Sequence, residues 1–326
     1  MRRFLATVPV LLVVLLAIAS AAAAQAVRRV AHVGMLCPLS CAETTNALSD
    51  ELRKLGWSEG TTMVIERKGA GGRFDRLPAL AADLVRLKPD LIVAFAPPAV
   101  RAAKEATSEI PIVMLFVADP VGVGLASSLA RPGGNLTGVA TLAGGDFNGK
   151  TLGILRELLP QAKRVAVFIN PSNETHQLLM AKQAPPAAAT LGLQLDFIEV
   201  RKAEDVPGAI AAAKAGGAEA LYIGGDPIFN SPTSRVSELA AQAGLPPIYV
   251  AGAREGGGLI SYGPDYPALA RRGAHYVDRI LKGAKPAELP IEQPSKFLLY
   301  INLKIAKSLD IEVPPTLLAR ADEVIE

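Results

Sequence analysis

The sequence predicts an α/β chain of two doubly wound parallel-sheet lobes joined by a hinge. Three observations predict it. Runs such as Leu91-Ile92-Val93-Ala94-Phe95 and Ile112-Val113-Met114-Leu115-Phe116 are apolar without alternation, as strands buried on both faces of a parallel sheet must be. Between such runs lie longer segments with helical periodicity, suited to crossover helices. The chain has 326 residues, too many for one ordinary core and suited to two.

In chain order the strand-like runs cover 30–36, 63–67, 91–96, 112–117 and 136–142, then 165–169, 193–200, 220–224, 247–251, 259–262 and 297–302. Leu48, Leu52 and Leu55 fall at i, i+4 and i+7, and Gly56 closes that helix. A helix over 75–87 ends before Lys88-Pro89, and one over 146–159 stops at Pro160. Pro185-Pro186 should kink or end the helix that contains them, because proline removes a donor and clashes with the preceding turn. Gly144-Gly145 and Gly256-Gly257-Gly258 are flexible points suited to a hinge.

The first 26 residues have the pattern of a secretory leader. Met1-Arg2-Arg3 precedes an apolar stretch over 4–18, and Ala21-Ala22-Ala23-Ala24-Gln25-Ala26 supplies small residues for cleavage after Ala24 or Ala26. The apolar stretch would span only about 22 Å as a helix, against about 30 Å of bilayer core. Export to the periplasm of a soluble mature protein is expected. Thirty-four basic residues face 31 acidic ones, so losing Arg2 and Arg3 takes the net charge from +3 to +1. That balance argues against nucleic acid or an anionic membrane as partner. Cys37 and Cys41 are the two cysteines; a local disulfide or two reduced small side chains fit the spacing equally.

Ligands of open parallel sheets bind beyond the carboxyl ends of the strands. The residues there are polar and turn-forming: Cys37-Pro38-Leu39-Ser40, Ala96-Pro97-Pro98, Ala118-Asp119-Pro120, Asn170-Pro171-Ser172-Asn173 and Gly225-Asp226-Pro227. Asp119, Asn170 and Asp226 are good helix N-caps, and capping alone would account for each. Their joint place on one rim favours a ligand, and an N-cap carboxylate in a cleft can hold an ammonium. Catalytic furniture is thin. The three histidines, His32, His176 and His275, have no metal-ligand spacing. There is no G-x-S-x-G elbow and no G-x-x-x-x-G-K-[ST] loop. Gly122-Val123-Gly124-Leu125-Ala126-Ser127 and Gly69-Ala70-Gly71-Gly72 are only partial echoes of nucleotide loops. No enzyme activity, cofactor or metal is expected.

Several segments resemble the ABC transporter substrate-binding proteins of the tryptophan/tyrosine type. They are Arg73-Phe74-Asp75-Arg76-Leu77-Pro78-Ala79-Leu80, Asp119-Pro120-Val121-Gly122-Val123-Gly124-Leu125-Ala126, Arg131-Pro132-Gly133-Gly134-Asn135-Leu136-Thr137-Gly138, Gly257-Gly258-Leu259-Ile260-Ser261-Tyr262-Gly263-Pro264-Asp265 and the tail Ala319-Arg320-Ala321-Asp322-Glu323-Val324-Ile325-Glu326. The resemblance implies a type I periplasmic-binding-protein fold, with crossings near Thr141, Pro264 and Pro290. Residues 28–140 with 264–290 would form the first lobe, and 141–263 with 291–326 the second. It implies a ligand cleft lined by Ser40, Thr44, Pro97, Pro98, Asp119, Asn170, Asn173 and Asp226, with Tyr262 as an aromatic wall. Many relatives carry Thr or Ser with glycine where this chain has Ala96-Pro97-Pro98. Two prolines remove two backbone donors and a hydroxyl there.

The expected function is an exported receptor that captures a small organic solute, an amino acid or related compound, and delivers it as a monomer to an inner-membrane ABC permease. A sensor subunit for a membrane kinase or chemoreceptor is the alternative, and an exported two-lobe enzyme a third.

Overall fold

Two sheets organise the chain, and in both the strand order doubles back in the same way. In the computed structural model, residues 30–41, 45–142, 147–230, 235–250 and 258–326 are described. The expected leader, Thr44, Gly144-Gly145 and Gly256-Gly257 lie outside them. The first sheet contains β1 (Ala31–Cys37), β2 (Met63–Gly69), β3 (Leu91–Phe95), β4 (Ile112–Val117) and β5 (Leu136–Ala140), ordered β2-β1-β3-β4-β5. The second contains β6 (Arg164–Ile169), β7 (Gln194–Glu199), β8 (Ala220–Ile223), β9 (Pro247–Val250), β10 (Ile260–Pro264), β11 (Phe297–Asn302) and β12 (Glu323–Ile325). Its order is β12-β11-β10-β9-β8-β6-β7, so β6 to β10 repeat the winding of β1 to β5.

The expected α/β class of two parallel-sheet lobes is borne out, with one difference at the far edge. β11 runs antiparallel to β10, and β12 pairs parallel to β11. The helix Tyr266–Leu281 lies between β10 and β11 in sequence and packs on the first sheet against Leu115 and Val139. The chain therefore returns to the second sheet from outside, free of the crossover that keeps neighbouring strands parallel.

Both faces of each sheet are covered at its centre, which is why the central strands do not alternate, while the edge strand β2 does. Val33, Met35, Val93, Val113 and Leu115 pack under the helices Asn46–Lys54 and Tyr266–Leu281. Leu36, Ile92, Ala94, Ile112 and Met114 face Leu77, Ala81, Leu84, Ala99 and Val100 on the other side. The second sheet repeats the pattern, with Val165, Val167 and Tyr222 against Leu152 and Leu155. Ala166, Phe168 and Leu221 meet Val206, Ile210 and Ala240 on its opposite face. Each of the larger side chains among these (Val, Leu, Ile, Phe and Met) contributes roughly 1.5–3 kcal/mol by leaving water.

Several local expectations are corrected. β3 ends at Phe95, and a helix starts at once over Ala96–Ala106, with Pro97 and Pro98 in its first turn. Proline is tolerated there because those N–H groups have no intrahelical acceptor. The same rule reverses the expectation for Pro185-Pro186. They open the helix Ala184–Thr190 directly after a π-helical stretch, His176–Gln183, and do not end one. No helix begins at Asp119-Pro120; residues 120–124 form successive turns, with Gly124 at φ +73° outside helical geometry. Cys37 and Cys41 are joined in a disulfide with Cα atoms 5.4 Å apart, closing the loop after β1.

Gly138 illustrates how tightly β5 seats on β4. At φ +140° its position would place a Cβ 2.1 Å from the Met114 carbonyl oxygen. Gly138→Ala should therefore cost about 3 kcal/mol or more, through backbone strain and displacement of the β4 edge. Urea unfolding would check this, and a midpoint equal to wild type would contradict the close approach.

Candidate functional site

In each sheet the winding changes direction once, between β1 and β3 in the first and between β6 and β8 in the second. Loops diverge at such points and leave a crevice at the carboxyl ends. In the second sheet the residues beside the crevice bond to one another across it. Asp226 Oδ2 accepts from Asn170 Nδ2 at 3.1 Å and from Asn173 Nδ2 at 2.8 Å. Its Oδ1 accepts the Ile228 N–H at 2.8 Å, which caps the short helix Pro227–Asn230.

Local backbone geometry fixes these side chains. Asn170 Oδ1 accepts the Ser172 N–H and Asn173 Oδ1 accepts the Thr175 N–H, at 3.0 and 3.1 Å. With each amide oxygen held by its own turn, each amide nitrogen is aimed at Asp226. All three side chains are at most 1% exposed. Three of the sequence candidates thus form one constellation.

The polar lining extends to residues the sequence reading passed over. The Asn170 N–H donates to His176 Nδ1 at 2.9 Å, so the neutral ring carries its proton on Nε2. Burial lowers the His176 pKa, against the opposing influence of the Asp226 carboxylate and the Gly225 backbone. The ring stacks on Phe229 and occupies the space that a Cβ at Gly224 would need. Thr175 Oγ1, His176 Nε2 and Asn230 Oδ1 are buried without hydrogen-bond partners. All three lie in the segments that follow β6 and β8. Unpaired buried polar atoms cost about 1–3 kcal/mol each, and each calls for a structural or functional reason. The signal in the sequence was the polar run Asn173-Glu174-Thr175-His176 straight after an apolar strand.

The rim of the first sheet faces this group. Arg101, in the helix after β3, pairs through two nitrogens with both oxygens of Glu174, beside Asn173. That carboxylate raises the Arg101 pKa. Arg101 Nη2 also donates to the Val123 carbonyl at 2.5 Å, which ties the Asp119 turn to the same point. Phe74 packs on core clusters of both sheets. A Cβ at Gly122 would fall 2.7 Å from Leu178 Cδ2. The two rims are in contact.

The remaining candidates separate. Asp119 is half-buried, and its Oδ1 accepts the Gly122 N–H at 2.8 Å within its own turn. Ser40 is exposed on the disulfide-closed loop after β1; Pro97 is buried and Pro98 half-buried in the first turn of their helix. Tyr262 forms a triangle of rings with Phe147 and Phe297, at 5.7 and 5.8 Å between ring centres, the two phenylalanines lying 5.4 Å apart. It lines a surface groove of about 500 Å³ with Ile154, Leu299 and Asp322, away from the Asp226 constellation. Among the described residues, no group of three or more His, Cys, Asp or Glu side chains could hold a metal ion.

His176 sets a pH dependence. Its pKa in the unfolded chain is about 6.5, and burial depresses it in the fold. The unfolded chain therefore takes up the extra proton first as pH falls below that value, and stability drops from there toward the folded pKa. Urea midpoints measured from pH 7.5 to 5.5 should fall in the wild type and fall less in His176→Asn. Parallel curves for the two proteins would contradict a buried neutral ring.

A family model described as ABC transporter substrate binding protein matches residues 30–325. A tyrosine-binding protein of Clostridioides difficile strain R20291 is 29% identical over 262 residues, covering 80% of this chain and 74% of the relative. The ABC domain in complex with L-Trp from Streptococcus pneumonia superposes with TM-score 0.82 at 26% identity, covering 90% of this chain and 99% of that one. A ligand-free, open substrate-binding protein with adhesive properties from Clostridium difficile gives 0.62 at 25% identity, over 91% and 99%. With the match running through both sheets and both rims, this chain belongs to the ABC transporter substrate-binding protein family.

Proposed function

We propose that this protein is an exported receptor that captures a small organic solute between two lobes and delivers it to an inner-membrane ABC permease, without catalysis. The observation that carries the reading is the buried constellation of Asn170, Asn173 and Asp226, with the orphaned atoms of Thr175, His176 and Asn230 around it. It supplies polar groups for a ligand in a dry crevice, and no nucleophile–base pair is needed to account for it. The leader-like residues 1–26 support export to the periplasm, and no described helix is long and apolar enough to cross a membrane.

The lobes divide near Thr141, Pro264 and Pro290. Residues 28–140 with about 264–290 belong to the first and 141–263 with 291–326 to the second, except that Pro264 ends β10 of the second sheet and Ile291 packs on the first. The packing of the helix Tyr266–Leu281 on the first sheet supports this division. Ligand contacts extend from the Asp226 group to Asp119, Pro97, Pro98 and the β1 loop with Ser40, while Tyr262 contributes to the second-lobe groove. The solute is an amino acid or a related amine-bearing compound, in keeping with relatives that bind tyrosine or L-Trp. The better superposition on the L-Trp complex than on the open, ligand-free relative, at nearly equal identity, supports a closed arrangement of the lobes here.

Mass spectrometry of small molecules released from the denatured, purified mature protein tests the reading. A recovered solute that raises the melting temperature dose-dependently is expected; an empty protein that no candidate solute stabilises would refute it. By calorimetry, Asp226→Ala should lower the affinity for that solute by about 1–3 kcal/mol. Unchanged binding by a folded variant would leave Asp226 only its role as a cap.

Closure should depend on Arg101–Glu174. Both side chains are about a third exposed, at 33% and 38%, so solvent screening limits the pair to about 1 kcal/mol. Glu174→Gln should increase the small-angle scattering radius of the ligand-free protein and weaken the solute by up to about fivefold. An unchanged radius would show that the pair does not hold the lobes together.

A further inference from the structure

We infer that the solute is a primary amine with an apolar body and no carboxylate; the inference rests on the receptor reading above. The two rims of the cleft differ in chemistry, and the difference sets the ligand class. The second-lobe rim presents the buried Asp226 carboxylate, together with the unpartnered oxygens Thr175 Oγ1 and Asn230 Oδ1 and one unpartnered donor, the His176 Nε2–H. Asp226 accepts three hydrogen bonds, and a carboxylate can take about four. Hydrogen-bond acceptors around a negative charge suit an ammonium group. A ligand carboxylate placed there would meet a like charge in a poorly screened interior.

The first-lobe rim offers few groups that could hold an anion. The helix Ala96–Ala106 begins directly at the carboxyl end of β3, beside the winding change. Its first three N–H groups have no intrahelical acceptor and would be the ones to bind a carboxylate. Positions two and three are Pro97 and Pro98, which have no N–H and no hydroxyl. Arg101, one turn further along that face, already holds the protein's own Glu174 carboxylate and the Val123 carbonyl. Lys104 donates to the Leu125 carbonyl at 2.6 Å.

Apolar rings stand at the same end of the sheet. Phe95, Phe116 and Tyr266 form a contiguous ring series at the carboxyl ends of β3 and β4, with centres 5.8 and 5.0 Å apart. Phe116 is half-buried and sits at φ +63°, where the β4–β5 register shifts, and Ala96 shares that left-handed conformation. A bulky residue is rarely held at positive φ, and such positions concentrate at ligand clamps. Nitrogen on the Asp226 side and hydrocarbon or ring on the Pro97–Phe116 side satisfy both rims.

Matched pairs test this on the intact mature protein, by calorimetry and thermal shift: tyramine against L-tyrosine, and tryptamine against L-tryptophan. In at least one pair the amine should bind at least about tenfold more tightly than its amino acid. Pro97→Ser, which restores one N–H and one hydroxyl, should narrow that ratio several-fold by strengthening the amino acid. Amino acids binding as tightly as the amines would overturn the inference, as would a ratio unmoved by Pro97→Ser. Released-solute mass spectrometry separates the two levels of failure. A recovered carboxylate-bearing solute that stabilises the protein overturns the amine class and leaves the receptor intact. No recovered solute, with no shift from either pair, overturns both.

Discussion

Burying both faces of a parallel sheet leaves only its ends for polar chemistry, and the rest of this molecule follows from that constraint. The central strands carry apolar side chains upward and downward alike, so a polar group buried in a strand needs an internal partner, as Thr137 of β5 finds in the Leu289 carbonyl. Polar residues are therefore displaced to the loops beyond β6 and β8, where turns can satisfy them. Because both sheets wind in the same order, each produces its crevice at the same place, and closing one sheet on the other brings two crevices together.

Asp226 then acts as the keystone of the second rim. Three donors, two from the loop after β6 and one from the helix start after β8, converge on it, and hydrogen bonds to a charged group are worth more than neutral ones, about 1.5–3 kcal/mol each. The bonds hold the β6 and β8 loops at a fixed separation. The neighbouring orphaned atoms are left unsatisfied by the same rigidity, a local cost that a bound solute can remove. The π-helical stretch beginning at His176 belongs to this pattern, since such irregular helices often occur where a side chain has been positioned for binding.

Contact between the rims is polar at Arg101–Glu174 and apolar at Phe74 and Leu178. A partly exposed ion pair supplies little net energy, so it suits a reversible closure. A solute that binds both rims shifts the balance by its differential affinity for the closed form.

Much of the fold was legible in the sequence. The strand runs, the crossover periodicity, the two-lobe division of labour and the family segments pointed to the α/β architecture, because binary pattern and turn chemistry are local properties. The sequence also marked Asn170, Asn173 and Asp226 through their places after apolar strands. It could not show that they share hydrogen bonds, since Asn173 and Asp226 are 53 residues apart. Nor could it place Arg101 against Glu174, separate Tyr262 from the Asp226 group, set Pro185-Pro186 at a helix start, or choose between thiols and a disulfide at Cys37 and Cys41. Each of those depends on which segments meet after folding. Amino-acid order thus determined what each segment could become; tertiary packing alone decided which polar atoms would be paired, and which would be left without a partner, because pairing depends on which segments meet.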